Sequence, residues 1–114
     1  MNINILYGML FFALGHIGAF LQLNGQFKWD WFAKNEWVIA ACGMLLSFFY
    51  IWGTKYTVAG TDGLLWPARF IGFGIGICIY AIMVSYLFGE GFTTKTIISI
   101  GLSIILICIQ VLWK

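Results

Sequence analysis

Charged side chains are scarce in this sequence, and their scarcity excludes most classes of soluble protein. Only 9% of the 114 residues are charged, whereas 62% are hydrophobic. Soluble domains carry about 25% charged residues and need a largely polar surface. Six basic and four acidic side chains cannot provide that surface for a single domain of this size. A cytosolic globular enzyme, a disordered tail and a nucleic-acid-binding domain are therefore excluded, the last because it needs a basic patch.

The sequence also lacks the cysteine and histidine patterns of a metal site or a disulfide framework. Its three cysteines, Cys42, Cys78 and Cys108, each lie inside an apolar run, without a CxxC motif or Cys/His spacing. We expect them to be small hydrophobic side chains packed among helices. No metal ion or other cofactor is expected.

Carboxylates are too few and too scattered to form a catalytic constellation. None of the four pairs with a plausible nucleophile and base, so we do not expect an enzyme. All of them lie in the connections between apolar runs or at the ends of those runs: Asp30, Glu36, Asp62 and Glu90.

Long apolar runs are what the sequence has instead. A transmembrane helix needs about 20 mostly apolar residues, and four segments qualify, at about 3–23, 37–54, 67–88 and 96–113. Short connections make consecutive helices antiparallel neighbours, and continuous runs exclude a β-barrel, whose strands alternate apolar and polar residues. The sequence predicts an all-α integral membrane protein, a single up-down four-helix bundle that spans residues 1–114.

The first connection is rich in aromatic residues, which prefer the headgroup level of a bilayer. Trp29 and Trp31 alternate there with Lys28, Asp30 and Lys34. This pattern predicts a short helix that lies along the membrane surface.

Basic residues are divided evenly between the two sides of the predicted membrane. An imbalance of Lys and Arg in short loops orients a membrane protein, and here there is none. Either so few charges balance by chance, or the chain inserts in both orientations and forms an antiparallel dimer. The two sets are Lys55, Arg69 and Lys114 on one side and Lys28, Lys34 and Lys95 on the other.

His16 is the one histidine of the chain and lies deep in the first span. Titratable groups inside a membrane are costly and are candidates for function. Two interpretations stay open: the imidazole carries a proton or binds a ligand during transport, or a neutral ring satisfies a backbone carbonyl or a hydroxyl of another helix. A single histidine is not enough for a metal site.

Arg69 is a second candidate, in the opening turn that the sequence predicts for the third helix. It follows Pro67, and proline favours the first helical turn. Its long side chain can snorkel to the interface, and its guanidinium suits phosphate or carboxylate. The expected partner is either a lipid phosphate or Asp62, or else the anionic headgroup of a substrate. Tyr80, further along the same helix, is the third candidate for binding substrate or protons.

Glycines are concentrated in the third span, where Gly72 and Gly76 form a small-xxx-small pair and Gly74 lies on a different face. Gly15 and Gly18 belong to the same class of small residues in the first span. Small residues allow close packing of helices in membranes. A hinge for alternating access needs the same residues, so both interpretations stay open.

Two short motifs and the last apolar run carry a resemblance to a known family. The motifs are Gly74-Ile75-Gly76 and Phe88-Gly89-Glu90, and the run covers about 96–112. They resemble the G-x-G bend of the third helix, the turn before the fourth helix, and the last helix of the small multidrug resistance family, within the drug/metabolite transporter superfamily. The resemblance implies a transporter of four short spans whose last helix is chiefly a dimer contact.

The first helix departs from that family at its most important position. The family's transport chemistry uses a membrane-embedded glutamate, and the matching residue here is Leu14. His16, two residues on, is the available substitute, although an imidazole does not attract a cation as a carboxylate does.

We therefore expect a small transporter-like protein of the bacterial inner membrane that moves a small, anionic or amphiphilic molecule. Its partners would be the lipid bilayer and a second copy of the chain, in an antiparallel homodimer. The alternative is a non-transporting accessory subunit that packs against a larger membrane complex.

Overall fold

Four long helices make up most of the structure, a computed structural model that describes residues 2–113. Each span is long and apolar enough to cross a membrane, which confirms the predicted all-α four-span membrane bundle. Lys114, which the sequence assigns to one side of the membrane, lies outside the described residues, as does Met1. The helices are α1 (Ile3–Asn24), α2 (Asp30–Lys34), α3 (Glu36–Ala41), α4 (Gly43–Gly60), α5 (Trp66–Phe88) and α6 (Thr94–Leu112).

The second span differs most from its predicted limits of 37–54, because it runs from Glu36 to Gly60. It consists of α3 and α4, joined at Cys42, whose backbone keeps helical dihedral angles. The helix continues beyond Thr54 because Thr57 is fully buried and a Cβ at Gly60 would lie 2.9 Å from the Ile5 backbone nitrogen. Packing against α1 therefore keeps this segment helical, although its polar residues predict a loop.

The first connection contains the predicted short helix, α2, preceded by a single 3-10 turn at Gly25–Phe27. Asp30 stands in the first turn of α2 and Lys34 in its last turn, where each charge favours the helix dipole. The ring of Phe32 packs on Trp29 and Trp31, at centroid distances of 5.4 and 5.7 Å. This connection is thus an aromatic segment with its own packing.

The register of contacts between α1 and α4 establishes the up-down topology. A Cβ at Gly53 would meet Phe12, whereas a Cβ at Gly43 would meet Gln22, so the two helices run antiparallel. A Cβ at Gly72 would meet Phe12 and one at Gly76 would meet His16, so α1 and α5 run parallel. Helix α1 therefore lies between α4 and α5 and contributes residues to both interfaces.

Helix α6 packs against α5 on the face opposite to α1. A Cβ at Gly74 would lie only 2.9 Å from the carbonyl oxygen of Ser103, which places the two backbones in close approach. Only 6% of the most apolar segment is buried in the second and the fourth span, compared with 28% in the first. The outer faces of α4 and α6 are therefore apolar and exposed. Such faces suit contact with lipid or with a further protein surface.

Candidate functional site

His16 is fixed between α1 and α5 by a hydrogen bond to the backbone. Its Nε2 lies 2.9 Å from the carbonyl oxygen of Gly72. A carbonyl oxygen can only accept, so Nε2 carries the hydrogen and donates it. Gly76 leaves the space that the ring fills, since a Cβ there would lie 2.7 Å from His16 Cε1. The sequence of α5 thus provides both the acceptor and the room for this imidazole.

Tyr50, on α4, lies against the other nitrogen of the ring. Its hydroxyl oxygen is 3.4 Å from His16 Nδ1, and the two rings meet edge to face with centroids 5.3 Å apart. In a neutral imidazole protonated at Nε2, Nδ1 is an acceptor and the Tyr50 hydroxyl is the donor. Sequence reasoning missed Tyr50, although a phenol inside a span generally needs a hydrogen-bond partner. The need of this phenol for a partner was the sequence signal that could have identified Tyr50.

A cavity of about 470 Å³ opens between α1, α4 and α5 on one side of His16. We call it the Arg69 cleft. Arg69 lies one turn before Gly72 on α5, about 4.5 Å along the helix axis at 1.5 Å per residue. The groups that give the cleft its polarity are His16, Tyr50, Thr54 and Arg69, and its ring-bearing apolar walls are Phe12 and Phe73.

A second, smaller cavity of about 100 Å³ lies on the other side of His16. We call it the Tyr80 cavity, because the ring of Tyr80 lines it together with Phe20 and Asn24. These three residues also line a third cavity of about 220 Å³, which reaches Glu90. His16 is therefore the residue that separates the Arg69 cleft from a line of smaller cavities toward the opposite end of α5.

Arg69 occupies the opening turn of α5, which begins at Trp66 with Pro67 in its first turn. Its side chain is exposed and lines the Arg69 cleft. Among residues 2–113, no hydrogen bond or ion pair engages its guanidinium. Asp62, the partner considered from the sequence, lies in the turn before α5 with a left-handed backbone, φ 58°. The structure brings Arg69 and His16 to one cavity and leaves Asp62 outside it.

The five glycines singled out in the sequence all face neighbouring helices. Gly72 and Gly76 accommodate aromatic rings of α1 rather than its backbone, whereas Gly74 approaches the backbone of α6. Gly15 lies against Tyr50, and Gly18 lies against Leu46 on the same helix. The two faces predicted for α5 are thus used by two different partners, α1 and α6.

The end of α5 carries the motif that resembles a family turn. Gly89 ends the helix in the left-handed region, φ 64°, and the carbonyl oxygen of Glu90 accepts a hydrogen bond from Ser85 Oγ at 3.4 Å. Lys28 Nζ donates to the carbonyl oxygen of Leu87 at 2.9 Å, so a cation from the first connection caps this terminus. This role of Lys28 depends on a contact between distant parts of the chain and has no local sequence signal.

Cysteine and carboxylate side chains do not converge in the described part of the chain. Across residues 2–113, no three His, Cys, Asp or Glu side chains come close enough together to hold a metal ion. Cys78 is partly buried, as expected for a small side chain packed among helices, whereas Cys42 and Cys108 are exposed, so that expectation is wrong for these two.

Comparison with known proteins adds no relative to these observations. No protein-family model matches the sequence, and no curated protein or solved structure matches it. The resemblance to the small multidrug resistance family therefore depends on its motifs alone.

Proposed function

We propose that this protein is a small membrane transporter of the drug/metabolite type that moves a small, anionic or amphiphilic molecule across the bilayer. The observation that carries the proposal is the position of His16, which lines both the Arg69 cleft and the Tyr80 cavity. A molecule that passed from one to the other would have to displace this ring. His16 is thus the barrier between two half-pathways in the proposed cycle.

Polar groups follow this path through the bundle. They begin with Arg69 in the cleft, continue with Tyr50 and His16, and reach Asn24 and Tyr80 beyond the ring. Lipid offers no hydrogen bonds to a polar solute, so a transported molecule needs such groups from the protein. Cavities between the helices of a bundle are common ligand sites.

The glycines of α5 favour movement of α1 against α5 along the proposed pathway. At Gly72 and Gly76, the α1 atoms nearest to an added Cβ belong to the rings of Phe12 and His16. A shift of α1 along this glycine surface has to break the hydrogen bond from His16 to Gly72, but it meets no α5 side chain at Gly72 or Gly76. In the proposal, α1 and α5 shift against each other here as access alternates.

The proposed setting is the bacterial inner membrane, and the proposed assembly is an antiparallel homodimer. The motifs similar to the small multidrug resistance family support the first, and the even division of basic residues supports the second. The exposed apolar faces of α4 and α6 offer area for the contact.

Flux into proteoliposomes tests the proposal. The purified protein is reconstituted, and uptake is measured for panels of organic anions and neutral amphiphiles. His16→Ala removes the ring that separates the two cavities and should raise the passive flux of accepted substrates at least about tenfold, which corresponds to about 1.4 kcal/mol in barrier height. Asp62→Asn, in the turn before α5 and outside both cavities, is the control and should leave flux unchanged. If His16→Ala transports every accepted substrate at the normal rate, His16 is not the barrier.

The second candidate function is that of an accessory subunit in a larger membrane complex. The observation that favours it is the small buried fraction of the second and fourth spans, 6% in each. Purification from native membranes in mild detergent separates the two candidates. A stoichiometric companion of larger mass supports the accessory function, whereas a homodimer without one supports the transporter.

A further inference from the structure

We infer that the Arg69 cleft binds an oxyanion with an apolar body, and that the anion binds together with one proton taken up by His16. Tyr50 is the group that links the two events. The inference deepens the proposed transport function and depends on it for its biological use. The binding itself is measurable without any transport.

The charge of the cleft selects for an anion. Arg69 is the single formally charged residue among the described residues that line it, and none of them is acidic. An unpaired cation at the edge of a membrane span favours an anionic partner. The planar guanidinium offers paired donors that match a carboxylate or a phosphate.

The size and the walls of the cleft select for an apolar body. Its volume of about 470 Å³ falls within the range of about 300–1,000 Å³ that small-molecule sites occupy. Phe12, Leu65 and Phe73 supply aromatic and aliphatic surface next to the guanidinium. A small aromatic carboxylate fits this combination better than a hydrophilic ion such as inorganic phosphate.

The hydrogen bonds of His16 connect the anion to a proton. In the neutral ring, Nε2–H donates to Gly72 and Nδ1 accepts from the Tyr50 hydroxyl, so the phenolic hydrogen is already engaged. When a proton from water binds Nδ1, that nitrogen becomes a donor to the Tyr50 oxygen. The O–H of Tyr50 then turns into the cleft and donates to the oxyanion. One proton and one negative charge enter together, and no covalent bond other than the new N–H changes.

The surroundings of His16 make this coupling reciprocal. The groups that face the ring are Tyr50 from α4, the Gly72 carbonyl from α5, and Arg69 across the cleft, with Asn24 and Tyr80 on the far side. Of the described residues that line its two cavities, none is a carboxylate that could neutralise an imidazolium. Arg69 repels the imidazolium in the empty cleft, and a bound anion removes that repulsion. Anion binding and protonation therefore favour each other by the same factor.

Naphthoate titration of the full chain in phosphatidylcholine nanodiscs tests the inference. Calorimetry with 2-naphthoate in two buffers of different ionisation enthalpy should show uptake of about one proton per anion. The affinity should fall about tenfold per pH unit wherever free His16 is neutral and the bound form is protonated.

Substitutions separate the charge from the proton. Arg69→Gln should weaken binding at least about tenfold, since charge-assisted hydrogen bonds are lost, whereas Lys55→Gln, on the same side but outside the cleft, should not. His16→Gln keeps a donor for Gly72 and should abolish proton uptake and the pH dependence. Tyr50→Phe should weaken binding, and Tyr7→Phe is its matched control. Helicity measured by circular dichroism identifies variants that fail to fold. If Arg69→Gln is one of them, Arg69→Met replaces it, because it also removes the charge while keeping a long side chain at this position.

Two sources can supply the same chemistry, a soluble organic acid or the phosphate of an anionic lipid. Native mass spectrometry after exchange into phosphatidylglycerol nanodiscs distinguishes them: Arg69-dependent retention of this lipid, with naphthoate excluded, identifies the lipid. The inference is overturned if neither binds in an Arg69-dependent manner, or if His16→Gln still takes up the proton. Proton-linked binding without flux in proteoliposomes would leave the site intact and overturn the transport function alone.

Discussion

The ring of His16 occupies the space that a side chain at Gly76 would need. A Cβ at residue 76 would lie 2.7 Å from His16 Cε1 and 3.0 Å from both ring nitrogens. Four residues earlier on α5, the Gly72 carbonyl accepts the hydrogen bond of the same ring. One face of α5 thus holds His16 by contact and by hydrogen bond together.

Gly76→Ala should therefore displace the imidazole and break its bond to Gly72. We expect a loss of about 1–3 kcal/mol in the free energy of unfolding, as for overpacking of a helix interface. Gly101→Ala is the matched control in α6, because nothing lies within 4 Å of its added methyl group. Unfolding in mixed micelles, followed by circular dichroism, measures the stability of both variants. Equal stabilities would contradict the described contact.

Gly8→Ala should weaken the interface between α1 and α4 more than any other glycine substitution proposed here. The added methyl group would overlap Thr57 Oγ1 and lie 2.9 Å from the carbonyl oxygen of Gly53. Thr57 is fully buried, so its side chain has no free space into which to move. We expect a loss of about 2 kcal/mol or more. The same unfolding measurement checks it, and Thr57→Ala should restore part of the loss by removing the clash with the hydroxyl, while the close backbone atoms remain.

Gly89→Ala should loosen the end of α5. Its φ of 64° lies in the left-handed region, where an L-residue with a Cβ costs roughly 1–2 kcal/mol. Gly91→Ala is a close control in the same connection, since its added methyl group also meets nothing within 4 Å and its φ is not left-handed. Hydrogen exchange of the amides in the last turn of α5 should accelerate in the first variant and not in the second. Unchanged exchange in both would contradict the left-handed cap.

The even division of basic residues predicts that the chain inserts in both orientations. Reporter fusions after Lys114, which keep that basic residue, should give signals from both sides of the membrane, because neither side has the excess of Lys and Arg that directs insertion. Thr61→Lys, in the connection before α5, should shift the population toward one orientation. Asn35→Lys, in the first connection, should shift it the opposite way. A single fixed orientation of the unmodified chain would contradict dual insertion and the antiparallel dimer.

Much of the fold could be predicted from the order of the residues because lipid does not hydrogen-bond to the backbone of a membrane span. Apolar runs of span length must be helical in a membrane, and the predicted limits of three spans lie close to those of α1, α5 and α6. Pro67 marks the first turn of α5 for a local reason, the missing backbone donor. The sequence predicts a second span that is too short, because Thr57 and Gly60 are held in the helix by contacts with α1 that have no local sequence signal.

The candidate site could be predicted only in part. His16 and Arg69 stand out in the sequence because an imidazole and a guanidinium are rare in apolar spans. Tyr50 does not stand out, since a tyrosine in such a helix is equally at home against lipid or in an aromatic cluster. Its relevance comes from the 3.4 Å distance to His16, across 34 residues of chain.

By itself, the sequence determined that this chain is a multi-pass helical membrane protein, through the length of its apolar runs and the scarcity of its charges. The tertiary structure decided which faces of those helices meet, and so placed His16 between two cavities and Arg69 in one of them. The physical reason is that lipid and the bundle interior are both apolar. Hydrophobicity therefore does not distinguish the buried face of a span from its outer face, and only close packing at small residues decides between them.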